Sequence, residues 1–191
     1  SGLTGIEMSF ALSKLGMDVT LIEKGDRLLP MLLDNTASKV MATYLQEKRI
    51  KIYLETTVEK VIPHNVQNRA SLSDGTELPF DMLLFAIGSR PNISIVYGTP
   101  IKVSRGILVD KYMKTSVPNV FAAGDVAEPK FSIKNGFVSS YIWPNAMAQG
   151  RCAANNMLEY DIPFDNYGFQ NTVQLKDVPF YSMGLIHPTE S

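Results

Sequence analysis

Apolar residues at Ile6, Phe10, Leu12 and Leu15, set against Glu7, Ser9, Ser13 and Lys14, predict a helix of about three turns, with Gly16 where a left-handed cap would end it. Residues 19–22 follow as a short apolar-and-threonine run closing on Glu23 and the Gly25-Asp26 turn, the pattern of a buried parallel strand. Asp34, beyond Pro30, is placed to cap a second helix whose Ala37, Val40, Met41, Tyr44 and Leu45 recur at helical spacing. Lys48-Arg49 favour its C-terminal end. Another strand is predicted at 50–54. Short β segments at 58–63 and 70–72, with the tight-turn pair Asp74-Gly75, read as a small antiparallel meander, and 81–87 as one more buried strand.

Past Gly88 the texture changes. Arg90-Pro91-Asn92 and Gly98-Thr99-Pro100 are breakers, and a domain boundary is placed there. Residues 107–109 are strand-like, 120–123 form a very short buried strand running into Gly124-Asp125, and 145–158 form a helix with Ala146, Ala153, Asn156 and Met157 at compatible spacing. The stretch 169–185, carrying Gly168 and Gly184 at its edges, reads as one or two strands of a third unit. Helix and strand alternate, so the fold class is α/β.

Composition narrows the function. With 45% hydrophobic residues the chain can bury a core, and a single cysteine excludes an intrachain disulfide framework, a Cys-x-x-Cys redox pair and a zinc site of several thiolates. Eighteen basic against nineteen acidic residues, with no Lys/Arg run, supply no one-signed field for nucleic acid or an anionic membrane. The longest apolar stretch, near 82–87, is far short of the roughly 20 residues that cross a bilayer, so no membrane span is expected and the expected location is the cytoplasm.

The chemistry starts at the first residues. Ser1-Gly2-Leu3-Thr4-Gly5-Ile6-Glu7 is the back half of a G-x-G-x-x-G turn. Glycine at 2 lets backbone approach a pyrophosphate, glycine at 5 permits close helix packing, and the helix start offers free amides to phosphate oxygens. Glu23, at the end of the next strand, fills the slot of the acid that bonds an adenosine ribose about 20 residues on. It repels a 2′-phosphate and so favours NADH over NADPH, while Lys24 beside it pulls the other way. A second motif is 81–92, an apolar strand ending in a small-residue turn; a third is Val120-Phe121-Ala122-Ala123-Gly124-Asp125, whose carboxylate can accept hydrogen bonds from a polyol chain. Each also reads as an ordinary turn closing a strand.

The ordered set Gly2-Leu3-Thr4-Gly5-Ile6-Glu7, Ala86-Ile87-Gly88-Ser89-Arg90-Pro91-Asn92, 118–125 and Trp143-Pro144-Asn145-Ala146 with Gln149-Gly150 resembles the FAD-dependent pyridine nucleotide-disulfide oxidoreductases. Within them it is similar to the branch of NADH oxidases, rubredoxin or ferredoxin reductases and the flavoprotein part of nitrite reductase. The resemblance covers residues 1–160, and 181–185 resemble the start of the family's C-terminal interface domain. It implies Rossmann-like FAD/NAD(P)-binding layers in a three-layer ββα arrangement, with a partial first sheet and a small β meander. It divides the chain into an NAD-binding domain at 1–100, part of an FAD-binding domain at 101–162, and the start of an interface domain at 163–191. Gly2, Leu3, Thr4 and Gly5 would lie by the NADH pyrophosphate, Glu23 and Lys24 by the adenosine ribose, Glu7 near the nicotinamide, and Ile87 and Gly88 along the dinucleotide cleft. Gly124 and Asp125 would hold the ribityl chain of FAD, and Trp143 and Asn145 would border the isoalloxazine ring. Trp143 equally fits a core filler.

The family pattern also begins with an FAD-binding half that has its own glycine turn, which these residues lack, together with the first strand of the NAD unit. The sequence therefore reads as an internal fragment. The expected activity is hydride transfer from NADH to flavin, with electrons passed on to a small molecule or a redox protein; the full-length protein is expected to be a homodimer. No side chain is assigned as catalytic acid or base, and no metal site is expected. The alternative is a non-catalytic dinucleotide-binding or assembly fragment. Cys152 reads as a small buried residue rather than a nucleophile, and His64 and His187, beside Pro63 and Pro188, show no partner for acid/base work.

Overall fold

The computed structural model describes residues 2–129, 141–164, 170–175 and 178–183. The chain divides into two compact units, Ser1–Gly88 with Asn171–Ser182, and Ser89–Gln170 with Met183–Ser191.

The first unit opens with helix α1 (Leu3–Lys14). It stops where Gly16 turns to φ +82°: the Met17 amide reaches back to the Leu12 carbonyl at 3.3 Å and the Gly16 amide to that of Ser13 at 3.0 Å. The buried face is Gly5, Ile6, Ser9 and Phe10. This corrects the predicted stripe at two positions. Ser9 can be buried because its hydroxyl donates to the Gly5 carbonyl at 2.7 Å, and Leu15, beyond the last helical residue, is 74% exposed. Strand β1 (Thr20–Ile22), helix α2 (Asn35–Glu47) and strand β2 (Lys51–Tyr53) then form a β-α-β unit, with Thr20 opposite Lys51 in a parallel ladder. The Asp34 carboxylate accepts the Ala37 amide at 2.7 Å, as its position predicts. The buried face of α2 is Ser38, Met41 and Leu45; Val40 points to solvent, because neighbours on a helix lie about 100° apart and Met41 takes the inward direction. α1 packs on β1 and α2 on β2, and Ile6, Phe10, Leu21, Leu28, Leu45 and Ile50 lie at the centre of the core.

The meander is present as β3 (Val58–Ile62), β4 (Asn68–Leu72) and β5 (Glu77–Phe80), paired antiparallel in that order. β5 was not predicted. It contains Pro79, which a strand tolerates only at an edge, and β5 is an edge. The expected buried strand at 81–87 is overturned: among the described residues no strand pairs with it, and Phe85 and Ile87 are 63% and 89% exposed. A run with apolar side chains on both faces needs covered neighbours on both sides of a sheet, and the parallel sheet of this unit holds β1 and β2 alone among the described residues.

In the second unit β6 (Ile107–Val109) pairs parallel with β7 (Ala127–Pro129). The expected strand at 120–123 is reduced to a lone bridge between Phe121 and Lys114, since the 3-10 turn at Gly124–Val126 redirects the chain before a ladder can extend. Helix α3 (Trp143–Met157) starts two residues before the predicted 145, with Pro144 in its first turn, where a missing amide proton costs nothing. Ala153 and Asn156 face inward as predicted, but Met157 is 59% exposed. The core gathers Ile107, Val109, Met113, Ala127, Ala153 and Phe164. Strands β8 (Gln170–Leu175) and β9 (Val178–Met183) form a two-stranded sheet that, but for its end residues Gln170 and Met183, belongs to the first unit, where the Ser182 hydroxyl donates to the Leu32 carbonyl at 2.8 Å. Gly168, Gly184 and His187 lie outside the described residues.

Candidate functional site

The first candidate locus is the start of α1. Gly2 is its N-cap, with extended backbone and no side-chain cap, and the first turn contains no acidic residue. The positive end of the helix dipole and its open amides are therefore neither bonded nor neutralised by the helix's own side chains, which is the arrangement that receives a phosphate. A Cβ built on Gly2 would meet nothing within 4 Å, so this glycine leaves open space over the turn. Gly5 is buried, Leu3 is half-buried, and Thr4 and Glu7 are exposed on the same helix.

Glu23 closes β1 with its backbone held on both sides: its amide donates to the Tyr53 carbonyl at 2.8 Å and its carbonyl accepts the Thr56 amide at 3.0 Å. Its side chain is 9% exposed, and one carboxylate oxygen accepts the Gly25 amide at 2.5 Å. The acid is thus set by its own turn, and Lys24 beside it is exposed. Ile87 and Gly88 lie on the exposed segment that follows Asp81, and Gly88 is left-handed at φ +89°. No hydrogen bond among the described residues draws them to the α1 turn.

The second locus lies in the other unit. Gly124 is at φ +79°, a backbone that strains any residue with a Cβ, and starts the 3-10 turn that presents Asp125 to solvent. The Gly124 amide donates to the Gln149 Oε1 at 2.8 Å, and a Cβ built on Gly124 would stand 3.8 Å from that of Ala146. Both partners belong to α3. The structure thus brings Gly124 and Asp125 onto the helix whose first turn holds Trp143, 78% exposed, and Asn145, 7% exposed. Ile142, the N-cap of α3, offers no side-chain cap either. An uncapped helix start next to a glycine-aspartate turn is suited to a polar, anionic or hydroxyl-rich group.

The other reactive groups are spent internally. The Cys152 thiol donates to the Ile162 carbonyl at 3.4 Å, and burial pushes its pKa above the usual thiol range, which disfavours the nucleophilic thiolate. His64 Nδ1 accepts the Val66 amide at 3.2 Å in a surface loop. Among the described residues no group of three or more His, Cys, Asp or Glu could hold a metal ion. Sequence reasoning placed Gln149 in a motif but gave it no task. The signal available was the spacing Asn145, Gln149, Asn156, polar amides on one helical face.

The model of the pyridine nucleotide-disulphide oxidoreductase family matches residues 1–150. The chain belongs to that family. It is 32% identical over its whole length to the assimilatory nitrate reductase electron transfer subunit of Bacillus subtilis, of which it covers 24%. It is 36% identical over 82% of its length to the rubredoxin-NAD(+) reductase of Alcanivorax borkumensis, covering 40% of that protein. The solved water-forming NADH oxidase of Lactobacillus brevis, bound to NADH, superposes with a TM-score of 0.89 at 26% identity, over 96% of this chain and 41% of that one. The chain thus spans between about a quarter and two fifths of the length of these relatives. The likeness establishes the α/β, Rossmann-like fold of the FAD- and NAD-binding oxidoreductases. No helix among the described residues is long and apolar enough to cross a membrane.

Proposed function

We propose that the protein carrying this chain is an FAD-dependent NAD(P)H oxidoreductase that takes hydride from NADH onto the flavin and passes electrons to an acceptor. The observation that carries this is the pair of loci: the first unit has a glycine at an uncapped helix start and the second a glycine turn packed on a helix with an uncapped start, so the chain is equipped for two nucleotide cofactors rather than one. Bound FAD would supply the two-electron carrier, and the residues of this chain would bind and orient. In this reading the amides of Gly2, Leu3, Thr4 and Gly5 take the NADH pyrophosphate, Glu23 accepts from the adenosine ribose hydroxyls with Lys24 alongside, Glu7 borders the nicotinamide, and Ile87 and Gly88 line the cleft. Gly124 and Asp125 hold the ribityl chain, and Trp143 and Asn145 border the isoalloxazine. The corresponding domains are 1–100, 101–162 and 163–191. NADH is preferred because the Glu23 carboxylate repels a 2′-phosphate. The acceptor is a small molecule or a redox protein of the rubredoxin kind, and the whole protein works as a homodimer in the cytoplasm.

Anaerobic addition of NADH to the intact protein tests this: the visible flavin absorbance is expected to bleach, and unchanged absorbance would overturn the proposal. A second reading, dinucleotide binding without a competent flavin site in residues 1–191 taken alone, makes a different prediction. Calorimetry on that piece would then show heat with NADH and none with FAD.

A further inference from the structure

We propose that Gln149 is a positioning residue for flavin binding, acting through the backbone of Gly124; the inference rests on the flavin reading above. The buried face of α3 is unusual for a core helix, since it carries three amides, Asn145, Gln149 and Asn156, beside Cys152 and Ala153. Burying an amide is unfavourable unless its polar atoms are bonded. Asn156 bonds the chain reversal that follows the helix, donating to the Ile162 carbonyl at 2.8 Å and accepting the Ile162 amide at 2.9 Å. Gln149 instead spends its carbonyl oxygen on the one amide that precedes Asp125. The Gly124 amide is held at 2.8 Å by that oxygen, and the Gly124 carbonyl accepts from the Ala127 amide. Asp125 is therefore exposed in its side chain and pinned in its backbone on both flanks. A donor at Gly124 also fixes which way the Gln149 amide faces, since its oxygen must point to the turn.

The chemistry follows from this geometry. A carboxylate that binds hydroxyls of a polyol gains most when its direction is set beforehand, because the turn then loses no freedom on binding. Without the Gln149 acceptor the Gly124 amide is a partly buried donor with no protein partner, and a turn that starts at a left-handed glycine is free to re-form around another bond. Asp125 then samples directions that miss the ligand.

The test uses the intact protein that carries this chain, stripped of flavin and titrated with FAD. Gln149→Met, which keeps the length and loses the acceptor, is expected to weaken FAD binding by about tenfold, the loss typical of an orphaned donor that is partly buried. Gln149→Glu keeps an oxygen at that place and is expected to restore binding to within about threefold of the parent, as the retained acceptor predicts. Asn156→Ala, which deletes an equally buried amide from the same helix, controls for general destabilisation: it lowers the Tm and leaves FAD affinity unchanged. Exchange of the Gly124 amide with solvent provides a readout independent of flavin, and is expected to accelerate in Gln149→Met and not in Gln149→Glu. If the parent binds FAD and Gln149→Met binds it equally well, or Asn156→Ala weakens it as much, the role of Gln149 is overturned and the flavin reading stands. A parent that binds no FAD overturns both.

Discussion

Glu23 shows how far local bonds alone can set the direction of a single side chain. The Gly25 amide and the parallel ladder fix both ends of this residue, so under the proposed reading little ordering would remain for a ribose to impose. Glu23→Ala in the intact protein is expected to weaken NADH binding by about ten- to a hundredfold, the span of one hydrogen-bonded charged group, and to affect NADPH less. Equal losses for the two cofactors in steady-state KM would remove Glu23 from the specificity site. Cys152 gives a pH-dependent expectation. Burial raises its pKa in the folded state above the ordinary 9.0, so the folded form holds its proton more tightly than the unfolded chain. The stabilisation this represents is complete below pH 9.0 and is lost as pH rises through the folded value. Chemical denaturation is expected to show a steeper decline above that pH in the parent than in Cys152→Ala. The turns at Gly2, Gly5, Glu23, Gly124 and Asp125 were legible in the sequence because their residue types and spacing sit in order at the ends of predicted helices and strands. Gln149 was not, because its hydrogen bond joins positions 25 residues apart.

At the level of elements, boundaries set by local chemistry agree with expectation and inward faces do not always. Asp34 caps α2 and Gly16 ends α1 because a side-chain acceptor and a left-handed residue act within one turn. Asp34→Ala is expected to cost about 0.5–2 kcal/mol in chemical denaturation, and no loss would show that α2 is held by packing alone. Ser9 inward, with Val40 and Met157 outward, are the counterexamples. A serine can bond the carbonyl four residues back and so be buried at little cost, while the rotation of a helix is chosen by the neighbour it packs on. β5 was hidden by Pro79, which only the knowledge that the strand is an edge makes acceptable.

Across the whole chain the largest departure from expectation is 81–87, apolar by sequence and uncovered in structure, with Met82, Leu84, Phe85 and Ile87 each at least half exposed. Exposed apolar runs of this kind promote association. Residues 1–191 produced alone are expected to self-associate with rising concentration in size-exclusion chromatography, and Phe85→Ser with Ile87→Ser to shift the profile toward the monomer. An unchanged profile would place the association elsewhere. By itself the sequence determined the α/β class, the order of most helices and strands, and the glycine and acidic turns, because these depend on interactions within a few residues and on the geometry that each residue type allows. The tertiary structure alone decided which apolar run is covered, which helix face turns inward and which amide holds the Gly124 turn, because each is settled by atoms that sequence distance separates and packing brings together.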